Sequence, residues 1–135
     1  TFIIGTLVHM MLVLTLQLNG LKTALLLAFL LPLTAYMQGQ VLLPFLIPVI
    51  WLGNFIFVLL VRQFKGSRKL SLLMPPLAKA CVMLLAAWVV VSFLALTNPA
   101  LRKTVMFAMS VPQLLTAVAG ILLAEQVKKR LRQFD

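Results

Sequence analysis

The hydrophobic positions of this chain form four runs without a charged residue, each long enough to cross a membrane. The runs cover Thr1–Leu21, Thr23–Val61, Ala80–Leu101 and Thr104–Ala124, with lengths of 21, 39, 22 and 21 residues. The hydrocarbon core of a bilayer, about 30 Å thick, requires about 20 helical residues. The longest run therefore predicts two spans, because its middle contains the polar, glycine-containing segment Met37–Gln40.

This pattern predicts an all-α fold, a polytopic membrane helix bundle that forms a single transmembrane domain over residues 1–135. Backbone polar groups in lipid must be satisfied within the structure, which favours helices. The sequence also lacks the two-residue alternation of membrane strands. The five predicted helices, A to E, cover roughly residues 1–18, 22–37, 43–63, 73–96 and 104–126.

The composition changes the picture by excluding several classes of protein. Hydrophobic residues make up 63% of the chain and charged residues 10%, with a mean hydropathy of +1.12. Soluble domains have about 45–50% apolar and about 25% charged residues. An ordinary soluble enzyme, a disordered chain and a nucleic-acid-binding domain are excluded. The net charge is +10, and the basic residues lie in short clusters between apolar runs. We therefore expect the lipid bilayer as a partner and expect no binding of nucleic acid.

The distribution of Lys and Arg predicts the orientation. Nine basic residues lie in the A–B loop, the C–D loop and the tail, whereas the opposite side has only Arg102 and Lys103. The positive-inside rule then predicts a multi-pass protein of the cytoplasmic membrane with a cytoplasmic C-terminus. Lys79, near the start of helix D, is expected close to the inner face. Because the chain begins with Thr1 inside an apolar run, we expect that one earlier helix is missing and that the intact protein has six spans.

The chemistry-bearing residues give no catalytic constellation. The chain has two carboxylates, Glu125 and Asp135, both in the tail, so no acid–base pair is expected within the membrane. The single cysteine, Cys81, allows neither an intrachain disulfide nor a metal-ligand spacing. We therefore expect a protein that is not an enzyme and has no metal, no cofactor and no ATP site.

Polar residues inside the predicted spans are the candidate functional residues, because they are costly in lipid. His9, halfway along helix A, either bonds a neighbouring helix or contacts a substrate or proton. Asn54, in the middle of helix C, either joins helices or binds a ligand. Pro44, Pro48, Trp51 and Asn54 share one face, which fits either a pocket wall or ordinary packing.

Small residues at four-residue spacing predict close helix contacts. Helix E contains Thr116, Gly120 and Ala124 in this spacing, and helix B contains Ala24 and Ala28. Such stripes allow two backbones to approach closely. They predict packing seams, either within the bundle or against a partner protein.

Several short segments, in order along most of the chain, resemble one family of membrane proteins. Together they are similar to the substrate-binding S-components of energy-coupling-factor transporters, the vitamin importers of bacteria, and more narrowly to a branch of small S-component-like proteins without a settled substrate. The matching segments are Gly5–His9, Leu43–Pro48, Leu52–Asn54, Ala78–Lys79 and Val111–Ala117.

The resemblance implies a six-helix fold in the bacterial inner membrane that binds its substrate in the outer half. It also implies docking on a transmembrane coupling subunit driven by two ATPase subunits. The implied pocket residues are Trp51, Asn54 and Gln113, with Gln38 and Gln40 on a covering loop.

Three hypotheses for function remain. The first is a substrate-capture subunit of an ATP-driven importer of a vitamin or related small molecule. The second is a membrane scaffold or assembly protein that uses its small-residue seams and binds no ligand. The third is a small secondary transporter that couples an ion through His9 or Lys79.

Overall fold

The computed structural model describes residues 2–41, 43–94 and 97–134, and every regular element in these ranges is helical. The predicted first residue of helix A, the last two residues of helix D (95–96) and the Asp135 carboxylate lie outside the described residues. A 3₁₀ turn at Pro44–Leu46 precedes the third helix. The six helices are α1 Phe2–Asn19, α2 Leu21–Met37, α3 Ile47–Gln63, α4 Arg68–Phe93, α5 Pro99–Ala108 and α6 Val111–Phe134.

Within the described residues, four helical segments are long and apolar enough to cross a membrane, so the chain is a multi-pass membrane protein. They are Phe2–Asn19, Pro44–Gln63, Arg68–Phe93 and Pro99–Phe134, the last of which combines α5 and α6. The prediction of an all-α membrane bundle is thus confirmed at this level. The remaining apolar helix, Leu21–Met37, has 17 residues, or about 26 Å of helix.

Helix α4 begins five residues before the predicted start of helix D. A start at residue 73 would have put Pro75 and Pro76 in the first turn, where proline is favoured. Instead the helix begins at Arg68 and continues through both buried prolines. Each proline removes one N–H donor from the helix, an irregularity that membrane helices tolerate when neighbouring helices pack around it.

The predicted helix E is two helices in the structure. Helix α5 begins at Pro99, where the Oδ1 atom of Asn98 accepts the backbone N–H groups of Ala100 and Leu101 at 3.0 and 3.3 Å. The helix stops at Ala108, and α6 starts at Val111. Pro112 explains the break, because it cannot donate to the carbonyl of residue 108.

The helices alternate in direction, so the basic segments meet at one end of the bundle, which we call the basic end. The ends of α1, α3 and α6 and the starts of α2 and α4 lie there. Helix α1 packs mainly on α6, and α3 packs mainly on α4. The basic residues of this end are Lys22, Arg62, Lys65, Arg68, Lys69, Lys128, Lys129, Arg130 and Arg132.

Candidate functional site

A lysine lies at the centre of the bundle, bonded to two residues from other helices. The Nζ atom of Lys79 donates to Oδ1 of Asn54 at 2.7 Å and lies 2.6 Å from Nε2 of His9. Lys79 and Asn54 are 1% exposed, and His9 is 2% exposed. These three side chains, from α4, α3 and α1, form what we call the polar cluster.

The depth of the cluster follows from the positions of its members along their helices. Lys79 lies 11 residues after the first residue of α4, Arg68, and 14 before the last, Phe93, so it is about 16 Å from the start of the helix. His9 and Asn54 are also near the middle of their helices. The expectation that Lys79 lies close to the inner face of the membrane stays a prediction, and the structure adds that α4 begins 11 residues before it, at Arg68.

The hydrogen bonds of His9 determine its tautomer. Its Nδ1 atom lies 2.6 Å from the carbonyl oxygen of Gly5, one turn earlier in α1. Because a carbonyl oxygen only accepts, Nδ1 must carry a hydrogen and donate it. We therefore assign the Nδ1–H tautomer, in which Nε2 is the acceptor for Lys79.

An aromatic ring closes one side of the cluster. Phe57, one turn after Asn54 in α3, is fully buried. Its ring makes an edge contact with His9, with centroids 5.0 Å apart and an interplanar angle of 81°. The Nζ atom of Lys79 lies 5.7 Å from the Phe57 centroid, within the range of a cation–π contact. The lysine thus has two hydrogen-bond acceptors and one aromatic face around it.

Two glycines bring the helices close enough for these side chains to meet. A Cβ atom at Gly120 of α6 would collide with the Cβ of His9 and lie 2.9 Å from the backbone N of Met10. A Cβ atom at Gly53 of α3 would lie 2.5 Å from both Cγ and Sδ of Met83. Glycine is therefore required for the close α1–α6 contact and favours the close α3–α4 contact.

Within the residues that the structure describes, the cluster has no carboxylate to balance its lysine. The described carboxylate, Glu125, lies at the basic end, where its Oε2 is 3.3 Å from a guanidinium nitrogen of Arg68. Its side chain is 27% exposed and that of Arg68 is 69% exposed. The cluster therefore offers an amine whose two hydrogen-bond partners, an amide and an imidazole, carry no negative charge.

A further polar side chain lies one turn from the cluster. Thr6 is buried on the same face of α1 as His9, and its Oγ1 atom has no hydrogen-bond partner within the described residues. A buried hydroxyl without a partner costs about 1–3 kcal/mol. Thr6 lies away from the basic end, so it extends the polar interior towards the opposite end of the bundle.

Among the candidate residues from the sequence, the structure brings together His9 and Asn54 but separates Trp51 from them. Trp51 stacks on Phe29 of α2, with centroids 4.6 Å apart and an interplanar angle of 12°. Its Nε1 donates to the carbonyl oxygen of Phe29 at 2.6 Å. Trp51 thus joins α2 to α3, whereas Asn54 faces α4.

The three glutamines that the resemblance implies for the pocket lie outside the polar cluster. Gln38 and Gln40 are exposed and follow α2. The Nε2 atom of Gln40 donates to Oε1 of Gln38 at 3.0 Å. Gln113 lies in the first turn of α6 and is half-buried. None of the three has a hydrogen bond to the cluster in the described part of the chain.

The small-residue positions lie in helix contacts. Ala24 and Ala28 of α2 are fully buried, as is Ala124 of α6. Thr116 approaches Gly5, where a Cβ would lie 3.0 Å from the Thr116 Cγ2 atom. The stripe in α6 therefore packs within the bundle, against α1.

Lys79 is the residue of the cluster that the sequence pattern offers as a candidate only for ion coupling and not for substrate binding. The apolar pattern places it near the start of helix D, beside the run that begins at Ala80. The signal that could have found it is its position after Pro75 and Pro76, ten residues from Lys69, the nearest basic residue before it.

The described residues contain no group of three His, Cys, Asp or Glu side chains that could hold a metal ion. In comparisons with known proteins, no family model, no curated protein and no solved structure matches this chain.

Proposed function

We propose that this chain is the substrate-capture subunit of a membrane importer, and that it recognises a small anionic molecule through the polar cluster. The observation that carries the proposal is the burial of Lys79 beside His9 and Asn54, with no carboxylate bonded to it in the described part of the chain. The resemblance to S-components supports the same class of protein.

The energetic argument favours a functional role for the lysine. A lysine at the centre of a membrane helix costs about 2.5–3.5 kcal/mol on insertion scales. A bundle held together only by packing would avoid this cost with an apolar residue, which is often neutral or stabilising in place of buried polar groups. Ionisable residues inside a membrane protein are therefore functional candidates by default.

The chemistry of the cluster favours a ligand with a carboxylate or another anionic group. Such a group would bring the counter-charge that Lys79 lacks and would accept its remaining hydrogen. Thr6, with its unpartnered hydroxyl, would supply a second donor on the side away from the basic end. A few polar groups in an apolar surrounding are typical of small-molecule sites.

The proposed function includes a membrane arrangement. The four long helical segments and the shorter α2 all cross the bilayer. Because α2 is short, it requires local thinning of the bilayer or flanking polar residues. The basic end is cytoplasmic by the positive-inside rule. The cluster is closed to solvent, so ligand entry from the outer side requires movement of a helix. Energy for uptake comes from a coupling subunit and two ATPase subunits.

Matched pairs of small molecules test the proposal. The purified protein in detergent is heated with nicotinate or biotin and, in parallel, with nicotinamide or biotin amide, which lack the negative charge. We expect a carboxylate-bearing compound to raise the melting temperature and its amide to have little effect. Lys79→Met should abolish this difference. A response to the cation thiamine alone would contradict the proposal, and no response in a broad panel would favour the scaffold.

A second candidate is a proton-coupled carrier, which the hydrogen bond between Lys79 and His9 favours. Two titratable side chains 2.6 Å apart could pass a proton between α4 and α1. Uptake into cells distinguishes the two functions: a carrier loses uptake with a protonophore even when ATP is maintained. The capture subunit loses uptake when the ATPase subunits are deleted.

A further inference from the structure

The basic end of the bundle contains a cleft between four segments of the chain. Its volume is about 310 Å³, at the lower end of the range of roughly 300–1,000 Å³ found for ligand pockets. We call it the basic cleft, and its lining residues are Gln17, Val61, Lys65, Arg68, Ser71, Glu125 and Lys129.

The charge in the cleft suits an anion. Arg68 is paired with Glu125 at 3.3 Å, so these two charges offset each other. Lys65 and Lys129 add two exposed positive charges, which leaves the cleft with a net positive charge. The neutral side chains of Gln17 and Ser71 add hydrogen-bonding groups to the lining.

The position of the cleft identifies the source of the anion. It lies where α1, α3 and α6 end and α4 begins, which is the depth of lipid headgroups for helices that cross a bilayer. Exposed leucines lie in the same helices within three residues of the lining: Leu18, Leu70 and Leu122. A phospholipid would therefore meet apolar surface for its acyl chains beside a positively charged site for its phosphate.

We propose that the basic cleft binds the headgroup of an anionic phospholipid, with Lys65 and Lys129 as its phosphate ligands. Basic pockets between membrane helices are suited to anionic lipid headgroups. This inference does not depend on the importer function, because it uses residues at the basic end and none of the polar cluster. It predicts that the protein retains phosphatidylglycerol in preference to phosphatidylcholine.

The test uses the whole purified chain, freed of lipid in detergent, and phosphatidylglycerol or phosphatidylcholine with identical acyl chains. Bound lipid is counted by native mass spectrometry. We expect Lys65→Gln/Lys129→Gln to weaken phosphatidylglycerol binding about 25-fold, since each basic residue near an anionic lipid contributes about fivefold. Glu125→Gln should strengthen binding, because it removes the negative charge from the cleft.

The control removes the same amount of charge at the other end of the bundle. Arg102→Gln/Lys103→Gln should leave phosphatidylglycerol binding unchanged, and circular dichroism should show that both double variants fold. Equal loss in the two double variants would overturn the proposal, because the effect would then be one of net charge. Equal binding of phosphatidylcholine would also overturn it.

Two further arms distinguish the source of the anion. Inorganic phosphate alone should neither stabilise the protein nor displace phosphatidylglycerol at matched concentration. If it does, the cleft is a site for soluble phosphate and the lipid assignment is wrong. A polyglutamate peptide that displaces the lipid and loses binding in Lys65→Gln/Lys129→Gln would assign the cleft to an acidic protein partner instead.

Discussion

The Nζ atom of Lys79 lies 2.6 Å from Nε2 of His9, although the two residues are 70 positions apart and belong to different helices. Asn54 of a third helix accepts a second hydrogen bond from the same Nζ. The lysine is therefore the only member of the polar cluster that bonds to both others. Its removal leaves two buried acceptors without a donor, and this relationship gives the first prediction.

Lys79→Met should lower the free energy of unfolding by about 2–6 kcal/mol, because it leaves two buried acceptors unpaired and each costs about 1–3 kcal/mol. The double variant Lys79→Met/Asn54→Leu replaces a polar pair by an apolar pair. Its free energy of unfolding should therefore fall by less than the sum of the losses in the two single variants. We expect a coupling energy of about 1–2 kcal/mol, measured by reversible unfolding in mixed micelles. Strictly additive effects would mean that the 2.7 Å hydrogen bond contributes nothing.

The contact between Gly120 and His9 gives a second prediction. Gly120→Ala should lower the free energy of unfolding by about 1–3 kcal/mol, the usual range for overpacking. The added methyl group meets the Cβ of His9 and the backbone of Met10, which cannot move without shifting α1.

Gly66→Ala is the matched control, because a Cβ at Gly66 meets nothing within 4 Å. It should change stability by less than about 0.5 kcal/mol. If Gly120→Ala is as harmless as the control, α1 does not pack on α6 as described.

The all-α membrane bundle with four long apolar helices could be predicted from the sequence, but several helix boundaries could not. Apolar runs report the part of a helix that fits in lipid, and helices continue past it into polar residues. Helix α4 therefore starts at Arg68 and α6 continues to Phe134, beyond both predicted limits. The break between α5 and α6 follows from Pro112, whose effect on the local hydrogen bonds outweighs the continuous apolar pattern.

The candidate site could be predicted in part. His9 and Asn54 are conspicuous as polar residues within apolar runs, so their burial is expected to need partners. The sequence pattern places Lys79 near the start of helix D, because the charge-free run begins only after it, at Ala80. Which helices are neighbours is not contained in residue spacing, and the meeting of α1, α3 and α4 therefore had to come from the structure.

The stacking of Trp51 on Phe29 gives a third prediction. Trp51→Phe keeps an aromatic ring but loses the 2.6 Å hydrogen bond to the Phe29 carbonyl, so stability should fall by about 1 kcal/mol. Binding of a carboxylate ligand should be retained, because the indole faces α2. Trp88→Phe, at a position 52% exposed, is the control and should change neither property. Loss of ligand binding in Trp51→Phe alone would restore Trp51 as a substrate contact.

The approach of Gly53 to Met83 gives a fourth prediction, because here the neighbour is a flexible side chain. Gly53→Ala adds a methyl group 2.5 Å from Cγ and Sδ of Met83, and the methionine can adopt another rotamer. We expect the free energy of unfolding to fall by about 1 kcal/mol, at the lower end of the overpacking range.

Met83→Ala alone should lower the free energy of unfolding by about 2–5 kcal/mol through the cavity it leaves. The double variant fills part of that cavity with the new methyl group, so melting curves in detergent should show it to be more stable than the sum of the two changes. A double variant no better than that sum would show that the side chain of Met83 does not lie against Gly53.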